Sequence, residues 1–351
     1  MTTKHSLEIA KVSKVIIEKM FQVKAGETVA ITADTGSNPV IIDALAAAAY
    51  AAGGIPLVMS MPKGRGDGQM GMPDWPAKAL TAALCEVDVW IEAQSIILLY
   101  SDIWETAMAK NKKLRYLIIG DSSIESMVRV YTGYDIALLG KLLHKVRDLV
   151  LKTKKVRITS ENGTDVSYDI NLDYFFDLDD GDYSKPKFGT APGYVNIVPK
   201  LGSMNGTIVF DMLMNANVDN NERKVGFLMK DGAISEVLGN SEADKFKDFL
   251  AAFDDPNMYK ISHNMFGLNP SIHRLSGDVV EDERIWGGVD FGFGHTSPMD
   301  MPPLGQVAKS HFDGVVAKTT IYLDDEKIVD NGTVCHPNLK ALADEILAQY
   351  L

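Results

Sequence analysis

The sequence predicts an α/β N-terminal domain, a parallel sheet with helices on both faces, followed by an α+β C-terminal domain with antiparallel strands. Three observations carry that expectation. At 351 residues the chain exceeds what one small core organises, so two domains are expected, 1–150 and 151–351. Over the first, helical periods alternate with short apolar runs, as in a doubly wound sheet. Over the second, tight-turn signals between short β-rich runs replace that alternation.

Residues 7–21 place Ile9, Val12, Val15, Ile16 and Met20 near one helical face, and Lys24-Ala25-Gly26 closes the helix. Residues 27–32 then read as a buried strand. A helix over 38–52 stops at Gly53-Gly54 and leads to a strand over 56–61. The pairing repeats as helix 75–84 with strand 87–93, and helix 103–111 with strand 114–120. Beyond 151, the runs 155–159 and 166–170 flank Asn162-Gly163, a hairpin signal. Runs 225–229 and 234–238 flank Lys230-Asp231-Gly232, and 315–323 with 327–329 suggest a third hairpin. Helices are expected over 241–253 and 338–350.

A net charge of −12 repels phosphate backbones and anionic membranes, so nucleic acid is not an expected partner. No run reaches about 18 uncharged apolar residues, and the N-terminus lacks an apolar h-region. A cytoplasmic protein without a membrane span is the expectation. Cys85 and Cys335 show no zinc or redox spacing, which suits free thiols in a reducing compartment.

Two motifs are set aside. Gly66-Asp67-Gly68-Gln69-Met70-Gly71 has the G-x-G-x-x-G spacing, but the following Met72-Pro73-Asp74-Trp75-Pro76 opens no helix, as a dinucleotide site requires. A surface loop over 64–71 is expected instead. The acidic run 177–182 lacks the glutamate that closes an EF-hand loop and reads as solvated.

The chemical signal lies in the C-terminal half. His263, His273, His295 and His311 fall close together, with Glu281, Asp282, Glu283 and Asp290 among them and Asp313 just after. Such side chains can hold a divalent metal. His311-Phe312-Asp313 runs into the strand-like 314–323, and on a strand residues i and i+2 share a face. Imidazole and carboxylate can then converge while Phe312 turns away. Lys309 has the same parity as His311, so the chain has to bend before Ser310. His263 precedes a Gly/Asn/Pro turn, next to a loop where sites are often assembled. Taken singly, an H-x-D is more often a surface pair on an edge strand, and His263 a hydrogen-bonded structural residue. The glycine-rich 287–294 permits close backbone approach and brings in Asp290 and His295.

These residues resemble one superfamily. The block 261–270, Glu281-Asp282-Glu283-Arg284-Ile285, the glycine-rich stretch and the H-x-D followed by Ile321-Tyr322-Leu323-Asp324-Asp325 are similar to thermophilic metalloprotease-type aminopeptidases and to their 2,5-dihydroxypyridine 5,6-dioxygenase branch, iron enzymes of nicotinate and nicotine breakdown. The peptidases share the H-x-D but hold two metals with additional glutamates and a histidine. Where those are expected, this chain has Gly193-Tyr194, His263 and Asp290. The dioxygenase branch carries a histidine in the Ile-Ser-His context and the same H-x-D. The resemblance therefore implies one Fe(II) held by His263, His311 and Asp313, the two-histidine, one-carboxylate facial triad.

It also implies a ring-cleaving dioxygenase that uses O2 on a dihydroxylated pyridine or related small aromatic, with N-formylmaleamate as the branch's product, and a homo-oligomer. His295 is a candidate acid/base near the substrate. The alternative is a Zn, Mn or Co aminopeptidase, with Glu281 or Glu283 as ligand or base and Asp290 replacing a histidine. A non-catalytic small-molecule binder with a degenerate site is the third reading.

Overall fold

The computed structural model describes residues 5–64, 75–120, 122–218 and 223–349. It divides into two compact units, Met1–Ile136 with Gly181–Pro192, and Ala137–Asp180 with Gly193–Leu351. The loop 64–71 lies outside the described residues apart from Gly64. Among the described residues, no helix is long and apolar enough to cross a membrane.

In the first unit five parallel strands are ordered Ile55–Met61, Thr28–Asp34, Val89–Glu92, Arg115–Ile118, Lys187–Gly189. The chain steps outward in one direction after Thr28–Asp34 and in the other thereafter. Right-handed crossovers then place helices on both faces. Helix Pro39–Ala51 begins where the Asn38 side chain accepts from Val40 N, with Pro39 in its first turn. Trp90, Trp104 and Tyr116 pack with Leu80, Leu84 and Ile103 into a core on one side.

The expected first helix is α-helical over Ser6–Lys14 and π-helical over Val15–Met20. Val15, Ile16 and Ile17 are consecutive β-branched residues, which crowd an α-helical turn; the wider turn buries Ile16, Ile17 and Met20. Helices Ile124–Tyr131 and Ile136–Val150 and the strand Lys187–Gly189 are additions to the predicted elements. Three residues after a proline are too few for a strand period to register.

The second unit contains two antiparallel sheets. The eight-stranded one runs Ala233–Gly239, Val225–Lys230, Asn205–Val209, Asp165–Asp169, Lys155–Thr159, Thr320–Leu323, Glu326–Asp330, Thr333–Val334. Its hairpins turn at Asn162-Gly163 and at Asp231-Gly232, the latter with φ of 50° and 78°. The expected third hairpin is narrower than predicted, Thr320–Leu323 against Glu326–Asp330. Val315 and Val316 instead end the strand Gln306–Val316 of the other sheet. An apolar run carries no mark where the chain changes sheets.

That second sheet orders Met212–Leu213, Gln306–Val316, Val289–Thr296, Ile261–Gly267, Tyr194–Ile197, Leu178–Asp179. The acidic run is therefore not wholly a solvated loop. Leu178–Asp179 pairs with Tyr194–Val195, and Asp179 is buried.

Candidate metal centre

The three middle strands of the six-stranded sheet have two unlike faces. On one, Phe293 stacks on Phe312 with centroids 5.2 Å apart, and Phe227 and Phe246 pack edge-on against them. Alternation puts Asp290, Gly292 and Gly294, and likewise His311, Asp313 and Val315, on the opposite face. The apolar layer anchors the strands, and the glycines leave the other face open.

Register assembles the cluster. His263 is paired with Gly292, and Gly292 with Asp313, so the three form one row across three strands. Because the central residue has no side chain, the His263 ring lies over it. A Cβ there would sit 2.3 Å from His263 Cε1. Register also shifts between Ile261 and His263, and between Gly294 and Thr296 opposite His311 and Gln306. Each irregularity adjoins one histidine, where bulges commonly re-aim a side chain. The second supplies the bend required before Ser310. Lys309 turns out of the site, its Nζ donating to Phe253 O at 2.6 Å.

Among the described residues, one group of potential ligands brings three donor atoms within 4.8 Å of one another: His263, His311 and Asp313. His311 Nε2 lies 2.9 Å and His263 Nε2 3.5 Å from Asp313 Oδ1. The imidazole centroids are 5.1 Å apart. His311 Nδ1 donates to the carbonyl of His295 at 2.9 Å, which leaves Nε2 facing the cluster. That carbonyl also accepts from Ser262 Oγ at 2.9 Å.

The electrostatics differ between the two histidines. Burial, reinforced by the His311 charge, lowers His263 to about 4, so its imidazole is neutral at pH 7. Burial also disfavours the charged form of His311, but the Asp313 carboxylate, its hydrogen bond and the His295 carbonyl outweigh it and raise His311 to about 9. Burial likewise opposes ionisation of Asp313, yet His311, His263 and Arg284 hold it below the ordinary carboxylate range.

Asp290, fully buried, places Oδ2 3.1 Å from His263 Nε2. Desolvation and the neighbouring Asp313 and Glu283 charges push it well above the usual range. Its Oδ1 finds no hydrogen-bond partner. Glu283 follows the short helix Val279–Asp282, and burial with the Asp313 charge raises it to about 7. Arg284 Nη1 donates to Glu283 Oε2 at 2.9 Å and to Val280 O. Its guanidinium lies 5.0 Å from the ring centroid of Tyr194.

Not every clustered residue joins the site. His273 Nε2 contacts Pro270 O, and Asp282 accepts from Ser276 N and Gly277 N. Glu281 Oε2 accepts from Ser276 Oγ. His295 meets His311 through its backbone carbonyl. Two residues escaped the sequence reading as site components, Gly292 and Arg284. The alternating Gly-x-Gly within a β-rich run was a visible trace of the first. For Arg284 the signal was a charge followed directly by apolar Ile285 and Trp286.

Two imidazoles and a carboxylate, all facing inward and flanked by a second carboxyl with an unpartnered oxygen, fit a divalent metal. The donor set suits Fe(II) and is compatible with Zn, Mn or Co.

Comparison with known proteins identifies the family and the fold. The NicX family model, 2,5-dihydroxypyridine 5,6-dioxygenase, matches residues 14–336. A curated 2,5-dihydroxypyridine 5,6-dioxygenase of Pseudomonas putida KT2440 is 27% identical over 154 residues, which cover 41% of this chain and 43% of that protein. The alignment thus spans less than half of that relative's length. The solved structure of 2,5-dihydroxypyridine dioxygenase from Pseudomonas putida KT2440 superposes with a TM-score of 0.80 at 19% identity, covering 95% of this chain and 99% of that one. AmpT from Thermus thermophilus gives 0.68 at 12% identity over 93% and 99%. At these identities the structural likenesses establish the fold.

Proposed function

The chain belongs to the 2,5-dihydroxypyridine 5,6-dioxygenase family, and from that premise we propose that it is a mononuclear Fe(II) dioxygenase that cleaves the ring of a dihydroxylated pyridine or related aromatic. The observation that carries this reading is the convergence of His263, His311 and Asp313 within 4.8 Å on one face of a sheet. When bound by this triad, ferrous iron supplies a redox centre able to activate O2 beside the substrate ring. The net reaction adds both atoms of O2 to the ring as a carbon–carbon bond breaks.

The protein's own contributions follow from the site. The neutral His263 needs no proton removed to act as a ligand. His311 is oriented by the His295 carbonyl, and Asp290 Oδ2 lies 3.1 Å from His263 Nε2, the nitrogen that faces the cluster. Glu283, poised at about 7, is the group we assign to accept a ring-hydroxyl proton. The His295 imidazole is the second candidate for that role. The proposal extends to a homo-oligomeric, cytoplasmic enzyme.

One observation favours a second reading. Asp290 adds a carboxyl beside His263, and four donors suit a Zn, Mn or Co aminopeptidase better than an open triad. Elemental analysis of anaerobically purified protein separates the two. One iron per chain is expected; two zinc or manganese ions together with hydrolysis of leucine anilides would sink the dioxygenase reading.

A further inference from the structure

We propose that Met214 is a specificity-determining residue, forming one wall of the pocket that receives a planar aromatic ring beside the metal centre. This deepens the function proposed above and rests on it. The strand Met212–Leu213 pairs with Gln306–Val316 in the register Met212 to Val315 and Leu213 to Gly314. The ladder continues by one step, because Met214 N donates to Asp313 O at 2.9 Å. Met214 therefore stands next to Asp313 and extends the row of His263, Gly292 and Asp313 to a fourth strand.

Its face follows from Leu213. A Cβ on Gly314 would meet Leu213 Cδ1 at 2.9 Å and the Phe210 ring, so Leu213 points to the aromatic side. The alternating Met212 and Met214 then point to the side of Asp313. Directly opposed residues hold their Cβ atoms about 5 Å apart, so the Met214 thioether is within reach of whatever adjoins the Asp313 carboxylate.

Met214 borders a cavity of about 530 Å3, bounded by the segment 211–218 and by Leu275, Gly277, Val279 and Asp282. That size lies within the roughly 300–1,000 Å3 of small-molecule sites. Two carboxylates line it, but both are engaged. Asp211 Oδ2 accepts from Ala317 N at 2.8 Å, and Asp282 accepts from Ser276 N and Gly277 N. What remains for a ligand is the apolar surface of Met212, Met214, Leu275 and Val279, together with the uncharged segment 215–218, which includes Asn215 and Asn217. Polarizable thioethers with aliphatic neighbours fit the face of a flat ring, with no cation or anion demanded of it.

The test is anaerobic calorimetric titration of 2,5-dihydroxypyridine into the iron-reconstituted full chain, with iron content, melting temperature, KM and kcat measured alongside. Met214→Ala is expected to raise Kd and KM about tenfold, with kcat within about threefold and iron content unchanged. Met214→Leu restores wild-type binding, and Val279→Trp, which fills the cavity from the other wall, abolishes it. Wild-type binding that none of these substitutions alters overturns the inference alone. A wild type that takes up iron but neither binds nor turns over the ring overturns the proposed function, and this inference with it.

Discussion

Replacing Gly292 by alanine probes the site through the residue that contributes no side chain to it. The added Cβ would lie 2.3 Å from His263 Cε1, 2.6 Å from Nε2 and 2.7 Å from Nδ1. Carbon atoms in ordinary contact are about 3.5 Å or more apart, so the ring has to withdraw by about 1.2 Å. Asp290 Oδ2 lies 3.1 Å from its Nε2, so a shift of the ring disturbs that contact as well. Overpacking of this kind costs ~1–3 kcal/mol, roughly 5–150-fold in an equilibrium constant. Because relief comes from moving a proposed ligand, the loss is expected in metal affinity. Competition against a chromophoric chelator reads it, and a melt of the chelated protein reports the fold. Affinity should fall at least about tenfold, and Gly292→Ala added to His263→Ala should cost little more, since one ligand is lost only once. Wild-type affinity, or full additivity, would refute the reasoning.

Other consequences are as direct. His311→Ala or Asp313→Ala should abolish stoichiometric metal binding while far-UV circular dichroism stays native; retained iron and turnover in both would place the site elsewhere. Glu283→Gln should flatten the limb of the pH–rate profile near 7, where Glu283 titrates. A surviving limb would move the proton transfer to His295. In the chelated protein, His311 has its folded pKa raised from 6.5 to about 9, so its contribution to stability is complete below 6.5 and lost as pH rises through 9. The buried Asp290, raised above its unfolded value, acts with the same sign. His263, depressed to about 4, costs stability only as pH falls below 6.5. The melting temperature of chelated protein should therefore drop between pH 7 and 9, less steeply in His311→Gln. A flat or rising curve would contradict the assigned field around His311.

Much of this arrangement is legible in the sequence, for a physical reason. Helix and strand periods mark which face an element buries, so the α/β unit and the hairpins at Asn162-Gly163 and Asp231-Gly232 could be read directly. Two-residue alternation likewise put His311 and Asp313 on one face and Phe312 on the other. What stayed hidden depends on pairing between distant segments. No local pattern says that His263, Gly292, Asp313 and Met214 share a row. Nor does one show that an apolar run leaves its sheet after Val316, or that Asp290 lies under His263. The rise at Glu283 also exists only in the folded chain, where burial and the Asp313 charge outweigh the opposing Arg284 and His311.

Oxygen incorporation is the most direct measure of the central claim. Iron-reconstituted protein is given 2,5-dihydroxypyridine under 18O2, and the product is read by mass spectrometry against oxygen uptake. One O2 consumed per ring, with both labelled atoms in the opened product, is the predicted result. No oxygen uptake by iron-loaded protein, or new oxygen drawn from water, would contradict it.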